Sequence, residues 1–208
     1  MKLRSYFLLS FAIVCVDQLT KLAVKTRMNL GEEVEVLGKG FSILFAENDG
    51  FAFGLTLNKV FGLVGLSLSP VAGKLLLTFF SFLALMGLVL VLYYYARHQS
   101  YLPLFIASIL GGAMGNMIDR TFYGVWFDPI NTYAGGMFQG RVVDMFTVDL
   151  GLFGGPSPIF NLADVAIFVG ILAILFFQGK FMRQHKERTQ LPAEQEMPSP
   201  APDSSLTA

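Results

Sequence analysis

The stretch LLLTFFSFLALMGLVLVLYYY, residues 75–95, contains no charged side chain and decides the class of this protein. The hydrocarbon core of a bilayer is about 30 Å thick, and a helix needs about 20 apolar residues to cross it. This stretch therefore predicts a transmembrane helix. The composition agrees, because 54% of the 208 residues are hydrophobic and only 14% are charged, whereas about a quarter of the residues in a soluble domain are charged.

Three further stretches are long and apolar enough to span a bilayer, at about 6–24, 102–118 and 161–177. The sequence thus predicts an all-α membrane protein in which residues 1–186 form one domain with four transmembrane helices. Residues 187–208 are rich in Pro, Ser and Glu, and they predict a disordered cytoplasmic tail.

Basic residues next to the span ends predict the orientation of the chain, because such residues concentrate on the cytoplasmic side. They are Lys2 and Arg4 before the first span, Arg97 between the second and third, and Lys180, Arg183, Lys186 and Arg188 after the fourth. With four spans these positions all fall on one side, so both termini are expected in the cytoplasm. The long connections 25–74 and 119–159 are then expected outside.

The first outer connection has a strand pattern of its own. Glu and Val alternate over residues 33–36, residues 41–46 are apolar, and Gly-Lys-Gly at 38–40 separates the two runs. This pattern predicts a small extracytoplasmic β-hairpin or cradle. Residues 60–71 are apolar but too few to span a bilayer, and they predict a surface amphipathic helix.

The composition also limits the classes of function. The formal net charge is zero, so no net field attracts nucleic acid. Cys15 is the single cysteine, and the two histidines, His98 and His185, lie far apart at segment ends. The sequence therefore predicts neither a metal site nor a cofactor.

Polar residues inside or next to the spans fall at the outer end of the predicted bundle. They are Asp17 and Lys21 in the first span, Asn116, Asp119 and Arg120 at the end of the third, and Asp164 at the start of the fourth. A charge inside a membrane helix costs about 2.5–3.5 kcal/mol on insertion scales. The charged members of this set are therefore candidates for function.

Some of these residues also have a structural interpretation. Asp17 and Lys21 are four residues apart on one helix face, which predicts an interfacial ion pair with Lys21 extended outward to water. Gly111 and Gly115 have the spacing that lets two helices approach closely. Asn116 and Arg120, again four residues apart, could cap and neutralise the end of the third span.

A structural role accounts for Asp164 more readily than it accounts for Asp144. Asp164 follows Asn161 by three residues, which is the spacing of a capping box at the start of a helix. Its carboxylate would also meet the positive end of the helix dipole. Asp144 interrupts an apolar, strand-like run at 140–146. It is either a loop residue or half of a site, and spacing alone leaves both interpretations open.

Two carboxylates at one edge of a membrane can catalyse hydrolysis. Neither histidine lies at the outer layer to act as the base for a serine, and no zinc-binding HExxH motif occurs. Two neighbouring carboxylates share one proton. The ionised member can then take a proton from water while the protonated member polarises a carbonyl, which is the chemistry of an aspartyl protease.

Five segments resemble, in order, the signature blocks of the lipoprotein signal peptidase (signal peptidase II) family. They are DQLTK at 17–21, ENDGFAFG at 47–54, GGAMGNMIDR at 111–120, GRVVDMF at 140–146 and FNLAD at 160–164. The resemblance covers the chain except its tail. It implies a four-span inner-membrane enzyme with an outer β-cradle and a surface helix.

The resemblance also implies roles for individual residues. Asp144 and Asp164 match the catalytic aspartates of the family. The positions that match its substrate-binding or site-supporting residues are Asn48, Gly50, Asn116, Arg120, Asn161, Asp17 and Lys21. The implied substrates are diacylglyceryl-prolipoproteins, cut just before the modified cysteine by a water that the aspartate pair activates. The implied enzyme is a monomer surrounded by lipid of the bacterial inner membrane, with its active site near the periplasmic face.

The chain departs from the family pattern at two places. Met145 stands where the family usually has Phe. Residues 121–139 form a longer connection than many members have, and Trp126 and Tyr133 predict that this connection lies at the membrane interface. We hypothesise that it closes over bound substrate.

Two other functions remain open at this point. The chain could be a signal-anchored lipoprotein, since basic residues and an apolar run precede Cys15, although Val14 stands where a small residue is needed. It could also be a small membrane carrier with a proton path. Polar groups confined to one leaflet argue against a path across the bilayer.

Overall fold

The computed structural model describes residues 3–38, 40–50, 56–63, 65–97, 101–133, 135–149 and 157–195, with the backbone alone for 181–195. Its helices are α1 (Leu3–Arg27), α2 (Leu57–Leu63), α3 (Pro70–Ala96), α4 (Leu102–Ile118), α5 (Gly124–Trp126) and α6 (Leu162–Gln195). Its strands are β1 (Glu33–Glu35), β2 (Phe41–Asn48), β3 (Val142–Val148) and β4 (Ile159–Phe160). A π-helical turn (Asp119–Tyr123) joins α4 to α5, and a 3-10 turn (Asp128–Ile130) follows α5.

Four helices are long and apolar enough to cross a membrane, which confirms the predicted fold class. They are α1, α3, α4 with its extension to Trp126, and α6 as far as Lys180. Helix α4 packs against α1, α3 and α6 and is therefore the centre of the bundle. The outward face of α3 exposes large apolar side chains such as Phe79, Phe80 and Leu90, as expected for a helix that faces lipid.

The second span begins earlier than predicted. Pro70 is in the first turn of α3, and the Ser69 hydroxyl caps the helix by accepting a hydrogen bond from the Ala72 N–H at 3.2 Å. Lys74 consequently lies inside α3, so the second span contains one charged residue outside the stretch 75–95 from which it was predicted. In place of the surface helix predicted at 60–71, the structure has the shorter helix α2, which begins at Leu57 and ends at Leu63.

The last helix continues further than predicted. Disorder was expected from residue 187, whereas the backbone of α6 is helical to Gln195. Most residues between 184 and 191 are Gln, Lys, Glu, Arg and Leu, which have high helix propensity. Residues 196–208 lie outside the described part of the chain.

The predicted hairpin is present and belongs to a larger sheet. Strands β1 and β2 pair antiparallel, and Gly38 in the turn has a φ of 59°, in the left-handed region that glycine adopts without steric cost. The full antiparallel order is β1-β2-β3-β4. Ala46 pairs with Asp144, and Phe146 pairs with Phe160 just before α6. The pairing of β3 with β4 therefore places Asp144 near the start of α6.

The long connection at 121–139 begins as part of the bundle. Its first turn continues α4, and Tyr123 is buried, with its hydroxyl donating to Gln18 Oε1 at 3.1 Å. Trp126 is 59% exposed and stacks on Phe122 with 4.8 Å between ring centroids. Only the part beyond Tyr123 therefore remains a candidate for closing over substrate.

Met145, the other departure from the family pattern, lies in a hydrophobic core at the sheet end of the bundle. It packs with Phe45, Tyr123 and Val143, and all four side chains are buried. A methionine fills the irregular space between strand and helix without disturbing its neighbours, because its side chain is unbranched and flexible. The residue after Asp144 is therefore part of the hydrophobic core.

Candidate active site

Asp144 and Asp164, remote in the chain, meet on either side of Asn161. The Asn161 side-chain amide donates to Asp144 Oδ1 at 2.6 Å. The backbone N–H of the same asparagine donates to Asp164 Oδ2 at 3.2 Å. Asp144 is therefore not a loop residue, because it lies in β3 and is linked to the second acid through Asn161. Its role as half of a site stays a prediction.

Asp164 also caps its own helix, as the spacing predicted. Its backbone N–H donates to Asn161 Oδ1 at 2.9 Å, which completes a reciprocal capping box. The cap occupies only one carboxylate oxygen. The other, Oδ1, accepts from the Asn116 side-chain amide at 2.9 Å. Capping and a role in the site are therefore compatible for this residue.

Asp144 is 3% exposed in β3, and its carboxylate accepts hydrogen bonds from two neutral side-chain amides of the described residues. Asn48 donates to its Oδ2 at 3.1 Å, opposite the Asn161 bond to Oδ1. Burial, followed by the negative charge of Asp164, raises the pKa of Asp144 to about 7, although the two amide bonds act in the other direction. Near neutral pH the Asp144 carboxyl can therefore hold a proton.

The loop after β2 is attached to the site by two predicted residues. Asn48 Oδ1 accepts from the Gly50 N–H at 2.8 Å, and Arg120 donates to the Gly50 carbonyl at 3.0 Å. Arg120 thus extends from the π-helical turn to the cradle and does more than neutralise its own helix end. Residues 51–54, the rest of the second signature block, lie outside the described residues.

The predicted ion pair between Asp17 and Lys21 is present, but the prediction that Lys21 extends to water is wrong. Lys21 Nζ lies 2.9 Å from Asp17 Oδ2 and 2.9 Å from Asp119 Oδ2, and these side chains are all 0% exposed. It also donates to Asn116 Oδ1 at 2.8 Å. Two carboxylates and an amide inside the bundle replace the water that a snorkelling lysine would seek.

Asp119 and Gln18 complete this network. The sequence identified Asp119 only as one of several charged candidates, and it did not assign Gln18 to the site. The Gln18 amide donates to Asp119 Oδ1 at 2.8 Å and to Asp17 Oδ2 at 3.3 Å. Asp119 follows Asn116 by three residues on the same helical stretch, so a shared face was the available signal. The residues that Asp119 contacts, Gln18 and Lys21, are determined by the packing of α1 against α4 and could not be read from the spacing.

A second charged cluster lies at the rim of the site and includes the long connection. Asp49 accepts from Arg141 Nε at 2.9 Å and lies 2.5 Å from Lys74 Nζ. The ring of Tyr133 lies 5.1 Å from Lys74 Nζ and 4.4 Å from the Arg141 guanidinium, as cation–π contacts. Burial raises the pKa of the Tyr133 hydroxyl to about 12. This cluster joins α3, the β2 loop and the 121–139 connection.

Known proteins match this chain over most of its length. The family model described as signal peptidase (SPase) II matches residues 9–179. A lipoprotein signal peptidase of Chlorobaculum parvum is 33% identical over 181 residues, which are 84% of this chain and 95% of that protein. One of Porphyromonas gingivalis is 33% identical over 190 residues, which are 78% and 77% of the two chains.

A solved structure has the same fold. It is a bacterial membrane enzyme determined by the in meso method at 2.3 Å resolution, with a TM-score of 0.58 and 26% identity. The match covers 85% of this chain and 88% of the other. A family match across the spans, the sheet and both acids, together with relatives above 30% identity, leads to one conclusion. The chain belongs to the signal peptidase II family of multi-pass membrane peptidases.

Proposed function

We propose that this chain is an endopeptidase that removes signal peptides from prolipoproteins, cutting before a diacylglyceryl-modified cysteine with an aspartate pair. The observation that carries the proposal is the single asparagine that donates hydrogen bonds to both Asp144 and Asp164. In the proposal, one water is held between these two carboxyl groups. The relatives named as lipoprotein signal peptidases supply the substrate class.

In the proposed reaction one aspartate acts as the base and the other as the acid. Asp164, at the positive end of α6, acts as the base and takes a proton from water as the water oxygen bonds to the scissile carbonyl carbon. Asp144, whose pKa is raised to about 7, donates its proton to the carbonyl oxygen. When the C–N bond breaks, the proton on Asp164 passes to the leaving nitrogen and Asp144 regains its own.

The proposed location is the bacterial inner membrane, with both termini in the cytoplasm and the site at the periplasmic edge. The described polar networks of α1, α4 and α6 all lie at the end of the bundle that carries the sheet. A substrate held in the membrane by its lipid would present its cleavage site at that depth. The enzyme is proposed to act as a monomer within membrane lipid.

The two alternatives from the sequence are less well supported. Helix α1 runs without interruption from Leu3 to Arg27, so Cys15 lies in the middle of a span and not at a processed end. The buried ion pairs of the described spans lie near one end of the bundle, which does not favour a proton path across it.

The test is cleavage of a diacylglyceryl-prolipoprotein by purified Asp144→Asn and Asp164→Asn variants, followed by gel shift. Each variant is expected to lose about 10³-fold or more in kcat while remaining folded, because each removes one proton-transfer step. Glu35→Gln, on the exposed hairpin, is the matched control and is expected to cleave normally. Turnover within tenfold of the parent in either aspartate variant would refute the proposed pair.

A further inference from the structure

Beneath the two acids lies a fully buried triad of charges, Lys21, Asp17 and Asp119. The ammonium lies 2.9 Å from one oxygen of each carboxylate and donates its remaining proton to Asn116 Oδ1 at 2.8 Å. A lysine ammonium has three protons, so its bonding capacity is filled. Among the described residues, no hydrogen bond of this triad is made directly to Asp144 or Asp164.

Each carboxylate of the triad holds the backbone next to one of the two acids. Asp17 Oδ1 accepts from the N–H of Ala163, the residue before Asp164, at 2.9 Å. Asp119 Oδ2 accepts from the N–H of Val143, the residue before Asp144, at 3.2 Å. Lys21 joins the two carboxylates, so a continuous chain of charge-assisted contacts runs from one acid's backbone to the other's.

Lys21 also acts through a side chain. Because Asn116 Oδ1 accepts from the ammonium, its amide nitrogen is turned toward Asp164 Oδ1, which it reaches at 2.9 Å. The Asn161 amide, which donates to Asp144, lies 3.3 Å from the same Asn116 oxygen. The ammonium therefore determines which end of Asn116 faces the acids.

We propose that Lys21, Asp17 and Asp119 are positioning residues that set the separation of Asp144 and Asp164. The ammonium holds together two carboxylates that each hold the residue preceding one acid. The inference rests on the proposed aspartate chemistry. Reactions of this kind are sensitive to small displacements, since a misplacement of about 1 Å can cost about 10²-fold in rate.

The test compares Lys21→Met with Lys25→Met in the full-length enzyme. Lys25 is the matched control because it is a buried lysine one turn further along α1, paired with the Glu47 carboxylate and over the Phe45 and Phe127 rings. Lys21→Met is expected to lower kcat about 10²-fold with KM within about threefold. Lys25→Met is expected to lower the unfolding temperature but to keep kcat within about threefold. Equal loss of kcat in the two variants would overturn the proposal.

A second variant keeps the test decisive if Lys21→Met does not fold. Asp119→Asn leaves one lysine and one aspartate, a balanced pair, so its unfolding temperature is not expected to fall. Its kcat is expected to drop about tenfold, because the new amide oxygen can still accept from Val143 but has no charge and therefore holds the ammonium more weakly. If the triad had only a structural role, kcat would fall only in variants whose unfolding temperature also falls. Full activity in a stable Asp119→Asn enzyme would therefore contradict the positioning role.

The double variant Lys21→Met/Asp119→Asn separates the two roles further. It removes one positive and one negative charge, so stability is expected to recover relative to Lys21→Met while kcat stays low. Recovery of kcat together with stability would contradict the proposal. Failure of the aspartate chemistry itself gives a different result, since Asp144→Asn and Asp164→Asn would then remain active whatever the triad variants do.

Discussion

At the scale of single residues, the protonation of Asp144 links stability to function. The pKa of a free aspartate is about 3.8, and burial next to Asp164 raises that of Asp144 to about 7. Between these two values the folded protein binds a proton that the unfolded chain does not bind. The contribution of this residue to stability therefore decreases as the pH rises from about 4 to about 7 and is constant above that range. The burial that keeps the Asp144 carboxyl protonated close to neutral pH therefore lowers the stability of the folded protein above about pH 4.

Replacing Asp144 by Asn should remove this dependence. The gain in stability of Asp144→Asn over the parent is expected to be small near pH 4, to grow through pH 7, and then to level off at no more than about 4 kcal/mol. Denaturant unfolding in detergent at a series of pH values measures it, with Glu35→Gln as the exposed control. A stability difference that does not change with pH would show that the native state does not raise the pKa of Asp144.

At the scale of elements, α4 holds the site together through glycines on different faces. A Cβ on Gly111 would lie 2.8 Å from the Ser10 carbonyl oxygen of α1, and one on Gly115 would lie 2.4 Å from Asp17 Oδ2. Both confirm the close packing predicted from their spacing. A Cβ on Gly112, which the spacing did not single out, would lie 2.3 Å from the Ala163 carbonyl oxygen. The helix that carries Asn116 is thereby packed tightly against both α1 and α6.

Gly112→Ala is expected to displace the first turn of α6, because the atom in contact is backbone and cannot rotate away. We expect a lower unfolding temperature together with about a tenfold or greater loss of kcat. Gly87→Ala in α3 is the matched control, since a Cβ there has nothing within 4 Å. That change should be neutral or should stabilise by about 0.5–1 kcal/mol. Equal behaviour of the two variants in unfolding and cleavage assays would contradict this packing argument.

At the scale of the whole molecule, the sheet, the π-helical turn and the start of α6 lie together at one end of the bundle. The end of α3 and the start of α4 pack with the start of α1 at the other end, in a core that includes Tyr6, Leu92, Ala96 and Ile106. Under the proposed topology, the exposed hairpin residue Leu37 and the start of α4 are expected on opposite sides of the membrane. The chain contains a single cysteine, Cys15, which makes these two sides easy to probe.

Two reporter cysteines in a Cys15→Ser background test the orientation. Leu37→Cys, at a position 76% exposed in the hairpin, should react with a membrane-impermeant maleimide in intact spheroplasts. Tyr101→Cys, at a position 71% exposed before α4, should react only after lysis. The reverse pattern would place the site in the cytoplasm and would contradict the orientation inferred from the basic residues.

The elements were largely predictable, and the contacts among them were not. Apolar length predicted the spans within a few residues, and the spacing of Asn161 and Asp164 predicted a capping box that the structure confirms. The same local rules misplaced the start of α3 and the environment of Lys21. A cap residue outweighed hydropathy in the first case, and partners from another helix replaced water in the second.

The sequence by itself determined the four spans, the hairpin and the family, because bilayer thickness and the period of a strand act on neighbouring residues of one chain. Only the tertiary structure decided that Asp144 faces Asp164 across Asn161, and that Lys21 joins Asp17 to Asp119. Those contacts depend on how α1, α4, β3 and α6 pack against one another. Hydrogen bonds between groups so far apart in the chain form only after apolar packing has brought the four elements together.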